Sequence, residues 1–208
     1  MRVKTLALEM SSPCGSIAFL DGEEERFACE FANDRKHSGF FFEQLRLCLR
    51  KCGMPAQIIV GLGPGSYAGT RIALATATGL QVASGARLLG WPSLCAMPTE
   101  AEEYAVIGDA RRSSFYFARV AGRQCVEGPV LLGQEELLQR VATLDGPVFS
   151  TEELVAFPGS AVAMPSARVL ARLEALAHAG TTECPLQPIY LREPHITQPK
   201  VPLFPTRQ

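Results

Sequence analysis

The sequence predicts a duplicated α/β fold made of two lobes. Two copies of a three-strand meander are predicted, over 3–9, 15–20 and 26–31 and again over 104–109, 113–120 and 124–131. In each copy the first strand ends on a carboxylate, Glu9 or Asp109, and predicted helices follow. A repeated supersecondary unit of this kind indicates an internal duplication. We therefore expect an N-terminal lobe over 1–98 and a smaller C-terminal lobe over 99–208, with the two acids facing each other across a cleft.

The first meander is predicted from side-chain alternation and from its turn residues. Phe27, Cys29 and Phe31 alternate with polar or small residues, which is typical of a half-buried strand. Asp21-Gly22, just before them, is a strong hairpin signal.

A helix is predicted over 39–52, with Ser38 as its N-cap and Gly53 as its end. One face carries Phe41, Leu45, Cys48 and Cys52. Apolar side chains nevertheless spread around most of the cylinder, at Phe40, Phe42, Leu47 and Leu49. Such a helix is either buried within the chain or awaits a partner on one side.

A glycine-rich loop then joins a predicted strand, 58–60, to a predicted helix, 70–84. Pro64-Gly65 favours a type II turn, and Ser66 is predicted to cap the helix. The helix carries a ridge of small residues, Ala75, Gly79 and Ala83, which we expect to receive the bulky face of helix 39–52. A short strand over 88–90 follows.

The second half repeats the meander and adds helices over 134–141 and 166–179. Ser166 is the expected cap of the latter, with Val169, Leu170, Leu173 and Leu176 directed inward. The end of the chain holds too many prolines for a helix and is predicted to be extended.

Composition excludes several classes of protein. The net charge of −1 gives no global field for nucleic acid, although residues 44–99 contain five cations and no acid. Seven scattered cysteines, without a CxxC pair, fit reduced thiols better than a disulfide framework. The first residues do not form a signal peptide and no run is long enough to span a bilayer. We expect a cytoplasmic protein.

The glycine loop has two possible interpretations. It is either a turn that packs the helix against the strand or a nucleotide-binding site. It lacks the Lys-Ser or Lys-Thr pair of a P-loop. Gly63-x-Gly65-x-x-Ala68 has the dinucleotide spacing, but no acid follows about twenty residues later to hold a ribose. Ser66 is expected to cap the helix rather than to act as a nucleophile.

The two acids at the strand ends, Glu9 and Asp109, also have two possible interpretations. Acids at strand tips beneath a helix N-terminus are what an actin-like or ribonuclease H-like ATPase uses to hold magnesium and phosphate. Alternatively, Glu9 and Asp109 cap turns or pair with Arg111 and Arg112. A metal centre is poorly supported, because the three histidines, His37, His178 and His195, are far apart in the sequence.

Four segments carry a resemblance to a known family. They are the strand that ends on Glu9, the loop Gly61-Leu62-Gly63-Pro64-Gly65-Ser66-Tyr67-Ala68-Gly69-Thr70-Arg71, then Ile107-Gly108-Asp109-Ala110-Arg111, and Pro188-Ile189-Tyr190-Leu191-Arg192. With them the chain resembles, over most of its length, the bacterial TsaB family, also called YeaZ, whose loop reads G-x-G-P-G-S-[FY]-T-G-x-R. It departs at Glu9-Met10, where that family usually has Asp-Thr, at Ala68 in place of Thr, and in a short second lobe.

The resemblance implies a two-lobed actin-like fold and a role in forming threonylcarbamoyladenosine beside the anticodon of tRNAs that read codons beginning with A. A member of this type is not the catalyst. It pairs with the catalytic paralogue TsaD, and the small ATPase TsaE joins the pair. The resemblance thus implies no cofactor in this chain, ATP and magnesium only through the complex, and tRNA bound through the complex.

Two sets of residues follow as predictions. The first set forms the predicted partner interface on helices 39–52 and 70–84 and consists of Phe41, Phe42, Leu45, Cys48, Ala75 and Gly79. The second set is predicted to contact an anion or the partner and consists of Gly63, Gly65, Ser66, Tyr67, Arg71, Glu9, Asp109 and Arg111. The sequence leaves open whether the isolated chain forms a homodimer through the same helices.

A second function, from a different class, is a stand-alone kinase or hydrolase of the actin-like superfamily. It would use Glu9 and Asp109 with magnesium, and it predicts tight nucleotide binding by the isolated chain.

Overall fold

Two five-stranded mixed sheets frame the protein. The computed structural model describes residues 2–33, 38–173 and 186–192. In the first sheet the order is β3-β2-β1-β4-β5, with β4 and β5 parallel to β1 and the other neighbours antiparallel. Its strands are β1 (Lys4–Glu9), β2 (Cys14–Asp21), β3 (Glu24–Ala32), β4 (Gln57–Gly61) and β5 (Arg87–Trp91).

The second sheet repeats this topology. Its order is β10-β9-β6-β7-β8, so that β6 takes the central place of β1 and β9 the place of β4. Its strands are β6 (Glu103–Asp109), β7 (Ser114–Ala121), β8 (Gln124–Gly133), β9 (Val148–Ser150) and β10 (Ala161–Val162). The predicted duplication of the α/β unit is confirmed.

Four α-helices accompany the sheets within the described ranges. They are α1 (Ser38–Cys52), α2 (Tyr67–Ser84), α3 (Gln134–Val141) and α4 (Ala167–Leu170), and a 3-10 helix covers Ser93–Ala96. None of the helices in these ranges has the length and hydropathy needed to cross a bilayer.

The central strands β1 and β6 are buried on both faces because each face meets a different layer. On β1, Leu6 and Leu8 pack with α1 and α2 on the outer side, whereas Ala7 points into the space between the sheets. On β6, Val106 lies in the inner core and Ile107 packs with α3 on the far side. The period of two along a strand produces this division.

Helices α1 and α2 cover the outer face of the first sheet. From α1 this core receives Phe41, Leu45 and Cys48, and from α2 it receives Ala73 and Ala77. The expectation that the ridge of Ala75, Gly79 and Ala83 receives α1 is wrong, since these three residues are exposed. Ala73 and Ala77 face the sheet instead, and the 100° turn per residue carries the ridge to the opposite side of the helix.

The segment that contains α4 returns to the first sheet. Ser166 caps it as predicted, accepting from the Arg168 amide at 3.2 Å, and the Ala167 amide donates to Ser16 Oγ of β2 at 2.9 Å. Leu170 and Leu173 are fully buried between the two sheets. The remainder of the predicted helix, including Leu176, lies outside the described residues, as does most of the proline-rich end.

Candidate functional site at the glycine loop

The glycine loop between β4 and α2 is packed onto the turn that follows β1. The Ser66 amide donates to the Ser11 carbonyl at 2.6 Å. A Cβ on Gly65 would lie 2.0 Å from the Ser11 carbonyl oxygen, and one on Gly69 would lie 2.1 Å from that of Met10. Glycine is required at both positions because the two backbones touch. The loop is therefore closed by the chain itself.

The local conformation of the loop differs from the prediction in one respect. Ser66 caps α2 as predicted, since its Oγ accepts from the Gly69 amide at 3.2 Å, and the helix begins at Tyr67 rather than Thr70. The predicted type II turn is wrong: the Gly63–Pro64 peptide is cis and Gly65 has φ of +152°, whereas that turn has φ near +80° at its glycine. Gly63 donates its amide to Ser93 Oγ at 3.0 Å, which ties the loop to the 3-10 helix.

Glu9 lies beneath this loop and is fully buried. Its Oε1 accepts from the Ser11 amide at 2.6 Å, while Oε2 has no hydrogen-bond partner among the described residues. A Cβ on Gly61 would lie 1.8 Å from Oε2, so the glycine makes room for the carboxyl group. Desolvation raises the pKa of Glu9, and hydrogen bonding from Ser11 and Ser93 opposes this only in part.

Asp109 occupies the equivalent position in the second lobe. Its Oδ1 accepts from the Arg111 amide at 2.6 Å, as Glu9 accepts from the amide two residues on, and its Oδ2 lies 3.5 Å from the Arg111 guanidinium. Each acid thus caps the turn after its strand. This agrees with the second of the two interpretations of the paired acids, in which they cap turns or pair with arginine. Within the described part of the chain, no hydrogen bond or ion pair joins Glu9 to Asp109.

The exposed side of the loop carries an aromatic and cationic group. The Tyr67 and Tyr190 rings have centroids 5.3 Å apart at an angle of 31°. The Arg71 guanidinium lies 5.0 Å from the centre of the Tyr67 ring and donates to the Tyr67 hydroxyl. Sequence reasoning singled out Tyr67 and Arg71 but gave Tyr190 no role, because a contact across more than a hundred residues leaves no local signal.

Residues 186–192 connect this group to the second lobe. The Ile189 amide donates to the Leu62 carbonyl at 2.8 Å, next to the glycine loop. Three residues later, Arg192 donates to the Arg111 carbonyl at 3.3 Å and to Ser114 Oγ. The segment therefore brings Arg111 and the glycine loop, which belong to different lobes, to one surface.

The predicted interface residues divide into two groups. Phe41, Leu45 and Cys48 are buried in the core of the first sheet, where their present contacts are internal. Phe42, Ala75 and Gly79 are exposed. Only the exposed residues are available to a partner without rearrangement of the core. Their place in a partner interface stays a prediction.

Potential metal ligands do not gather in the described residues, where no group of three or more His, Cys, Asp or Glu is found. His37, His178 and His195 all lie outside these residues. A pocket of about 610 Å³ opens in the second lobe, lined by Arg119, Glu127 and Arg140 among others. Glu127 pairs with both arginines there, and none of the predicted site residues lines this pocket.

Comparison with known proteins matches most of the chain to one family model. The family model described as TsaD, tRNA N6-adenosine threonylcarbamoyltransferase, matches residues 32–179. No curated protein matches the sequence.

Two solved structures from Pseudomonas aeruginosa have the same fold. One is an uncharacterized protein with similarity to peptidase YEAZ, which is 24% identical, with a TM-score of 0.72, over 91% of this chain and 100% of that one. The other is YeaZ, at 23% identity and a TM-score of 0.71, with the same coverage. The predicted duplicated α/β fold is thereby confirmed as the fold that these two proteins share.

Proposed function

Since the chain belongs to the family of the tRNA N6-adenosine threonylcarbamoyltransferase TsaD, we propose that it is a scaffold and activator subunit, of the TsaB (YeaZ) type, that performs no catalysis itself. In this proposal it pairs with the catalytic paralogue TsaD, and TsaE joins the pair. The complex makes threonylcarbamoyladenosine beside the anticodon of tRNAs that read codons beginning with A. ATP, magnesium and tRNA are bound through the complex, in the cytoplasm.

The closed glycine loop is the observation that carries this proposal. A phosphate-binding loop presents free amides and open space to its ligand. Here the glycine α-carbons face the Ser11 and Met10 carbonyl oxygens at a distance that excludes even a methyl group. Carbonyl oxygens repel phosphate oxygens, and the Ser66 amide is already bonded to Ser11. The loop therefore fits a structural role better than a phosphate cradle.

The two acids support the same conclusion. Glu9 is fully buried beneath the loop, where its Oε1 accepts from the Ser11 amide and its Oε2 lies against Gly61. Asp109 is engaged with the Arg111 amide and guanidinium. We therefore expect these two acids to cap turns in this chain and magnesium to be bound through the complex.

The exposed faces of α1 and α2 support pairing. On α1, Phe40, Phe42 and Leu47 are large apolar side chains with between 44% and 50% of their surface exposed. On α2, Ala75 and Gly79 expose the small ridge, where a Cβ on Gly79 would meet nothing within 4 Å. A ridge of small residues lets a partner helix approach closely. We infer that TsaD packs here, on the same side of the sheet as both helices.

Pairing is tested with Gly79→Leu, which places a large side chain on the exposed ridge at a position where its Cβ meets nothing within 4 Å. We expect its affinity for TsaD from the same genome to fall at least about tenfold in calorimetric titration, because the helices can no longer approach. Gln139→Leu, at an exposed position of α3 on the other lobe, is the matched control and should pair normally. Undiminished pairing by Gly79→Leu would contradict the proposed interface.

Nucleotide binding is tested separately, by titrating ATP and magnesium into the isolated chain and into its mixture with TsaD. We expect no binding by the chain alone. Binding and turnover by the isolated protein, lost in Asp109→Asn, would instead establish the stand-alone kinase or hydrolase.

A further inference from the structure

A surface that crosses the two lobes combines aromatic rings with cations. On the first lobe it consists of Tyr67 and Arg71, and the segment 186–192 adds Tyr190 and Arg192. The two tyrosines are 50% and 41% exposed although their rings lie side by side. Each therefore keeps part of a ring face or edge open to solvent, next to a guanidinium.

The second lobe contributes the turn between β6 and β7. Arg111, Arg112 and Ser113 have φ of 64°, 56° and 55°, three successive residues in the left-handed region that non-glycine residues seldom occupy. All three are exposed, and the Arg111 side chain keeps 85% of its surface open. The turn thus presents two neighbouring arginines to solvent, and the bond from Arg192 to the Arg111 carbonyl holds it against the connecting segment.

The two halves form one continuous surface. Tyr190 stacks beside Tyr67 and, two residues later, Arg192 contacts Arg111 and Ser114. Two residues of extended chain span at most about 7 Å. The rings and the arginine turn are therefore anchored to neighbouring positions of the segment 186–192, and we call the whole the seam surface.

The charge of the seam surface contrasts with that of the chain. It holds Arg71, Arg111, Arg112 and Arg192, and among the described residues Asp109 is the carboxylate that pairs with this group. The protein as a whole has a net charge of −1. A cationic group on a protein with so small a net charge attracts polyanions locally, without general attraction to nucleic acid.

We propose that the seam surface binds unpaired nucleotides of an RNA strand. Bases stack on the open parts of Tyr67 and Tyr190, and successive phosphates contact the arginines of the β6–β7 turn. Aromatic faces beside a line of cations are the usual means of binding single strands, because every base offers a π-face. The choice of RNA over DNA rests on the proposed function. The geometry of the surface is independent of that function. A scaffold needs no nucleic-acid contact of its own, so this role goes beyond pairing.

The phosphate part is tested on the isolated full chain, by fluorescence anisotropy with a labelled RNA of about 12 unpaired nucleotides. The double variant Arg111→Gln with Arg112→Gln should weaken binding and reduce the salt slope by about 1.4, since each phosphate contact contributes about 0.7 on single strands. Arg46→Gln with Arg50→Gln removes two exposed cations from α1 and is the matched control. An equal loss in both double variants would overturn the seam surface as the site.

The stacking part is tested with Tyr190→Leu and with the same RNA annealed to its complement. Tyr190→Leu should weaken binding about 5- to 150-fold, the loss expected for one stacked base, with an unchanged salt slope. The duplex should bind more weakly, because its bases are not free to stack. Equal affinity for duplex and single strand, or no effect of Tyr190→Leu, would overturn the proposal.

The arginine variant is also assayed for pairing with TsaD, so that the two proposals can fail separately. Loss of RNA binding with normal pairing is the expected result. Loss of pairing with unchanged RNA binding would show that the seam surface contacts a protein instead. If neither the wild-type chain nor its variants bind RNA while pairing persists, this inference fails and the scaffold function stands.

Discussion

Glu9 shows how one buried residue links the loop to the pH dependence of stability. Burial raises its pKa above the ordinary value of 4.5. In the folded chain the carboxyl group therefore holds its proton over a pH range in which the unfolded chain has released it. The free energy of unfolding consequently falls as the pH rises from 4.5 to the folded pKa, by up to about 1.4 kcal/mol per pH unit.

Glu9→Gln should abolish this decline. The amide keeps the shape of the side chain and an acceptor for the Ser11 amide, but it does not ionise. Relative to wild type, the variant should gain stability as the pH is raised above 4.5, as measured by urea denaturation. Glu43→Gln, an exposed position on α1, should show no such gain. A difference between Glu9→Gln and wild type that stays constant with pH would contradict the linkage.

On the scale of elements, α2 contains two glycines with opposite requirements. Gly79→Ala should stabilise the protein by about 1 kcal/mol, because its Cβ enters open space and alanine favours the helix. Gly69→Ala should destabilise it, because its Cβ would lie 2.1 Å from the Met10 carbonyl oxygen. The two midpoints of urea unfolding should therefore move in opposite directions. A gain in both would show that the loop can withdraw from the turn after β1.

Elements with a clear period or cap were predictable from the sequence. Helix α3 was predicted at its observed bounds, and Ser66 and Ser166 cap their helices as expected. Strands β9 and β10 were missed because segments of three and two residues are too short to show alternation. The small ridge of α2 was assigned to α1 because helical spacing reveals which residues share a face but not which neighbour that face meets.

The candidate site was predictable only where it is local. The loop, its cap and the two strand-tip acids follow from sequence motifs. The sequence also offered turn capping as one role of the acids, but only the hydrogen bonds from the Ser11 and Arg111 amides decide for it. The contacts of Tyr190 with Tyr67 and of Arg192 with Arg111 join distant parts of the chain. Such contacts depend on how the lobes are packed, and the packing has no signature in any single segment.

The two lobes share one core, which should make the whole molecule unfold as a unit. Side chains from both sheets meet there, including Ala18 of β2, Trp91 of β5 and Ala118 of β7, and the α4 segment lies among them. Neither sheet can expose its inner face without also exposing that of the other. The single tryptophan, Trp91, reports on this shared core, whereas far-UV circular dichroism reports on all the elements.

Leu170→Ala tests this cooperativity from the element that joins the sheets. Leu170 is fully buried, so its truncation should cost about 2–5 kcal/mol. Arg168→Gln, two residues earlier, removes an exposed ion pair with Glu25 and should cost at most about 1 kcal/mol. In both variants the Trp91 fluorescence and the circular dichroism should report the same urea midpoint, because the lobes lose their common core together. If in Leu170→Ala the fluorescence transition precedes the loss of secondary structure, each sheet retains structure without the other, and the shared core is not what unites the lobes.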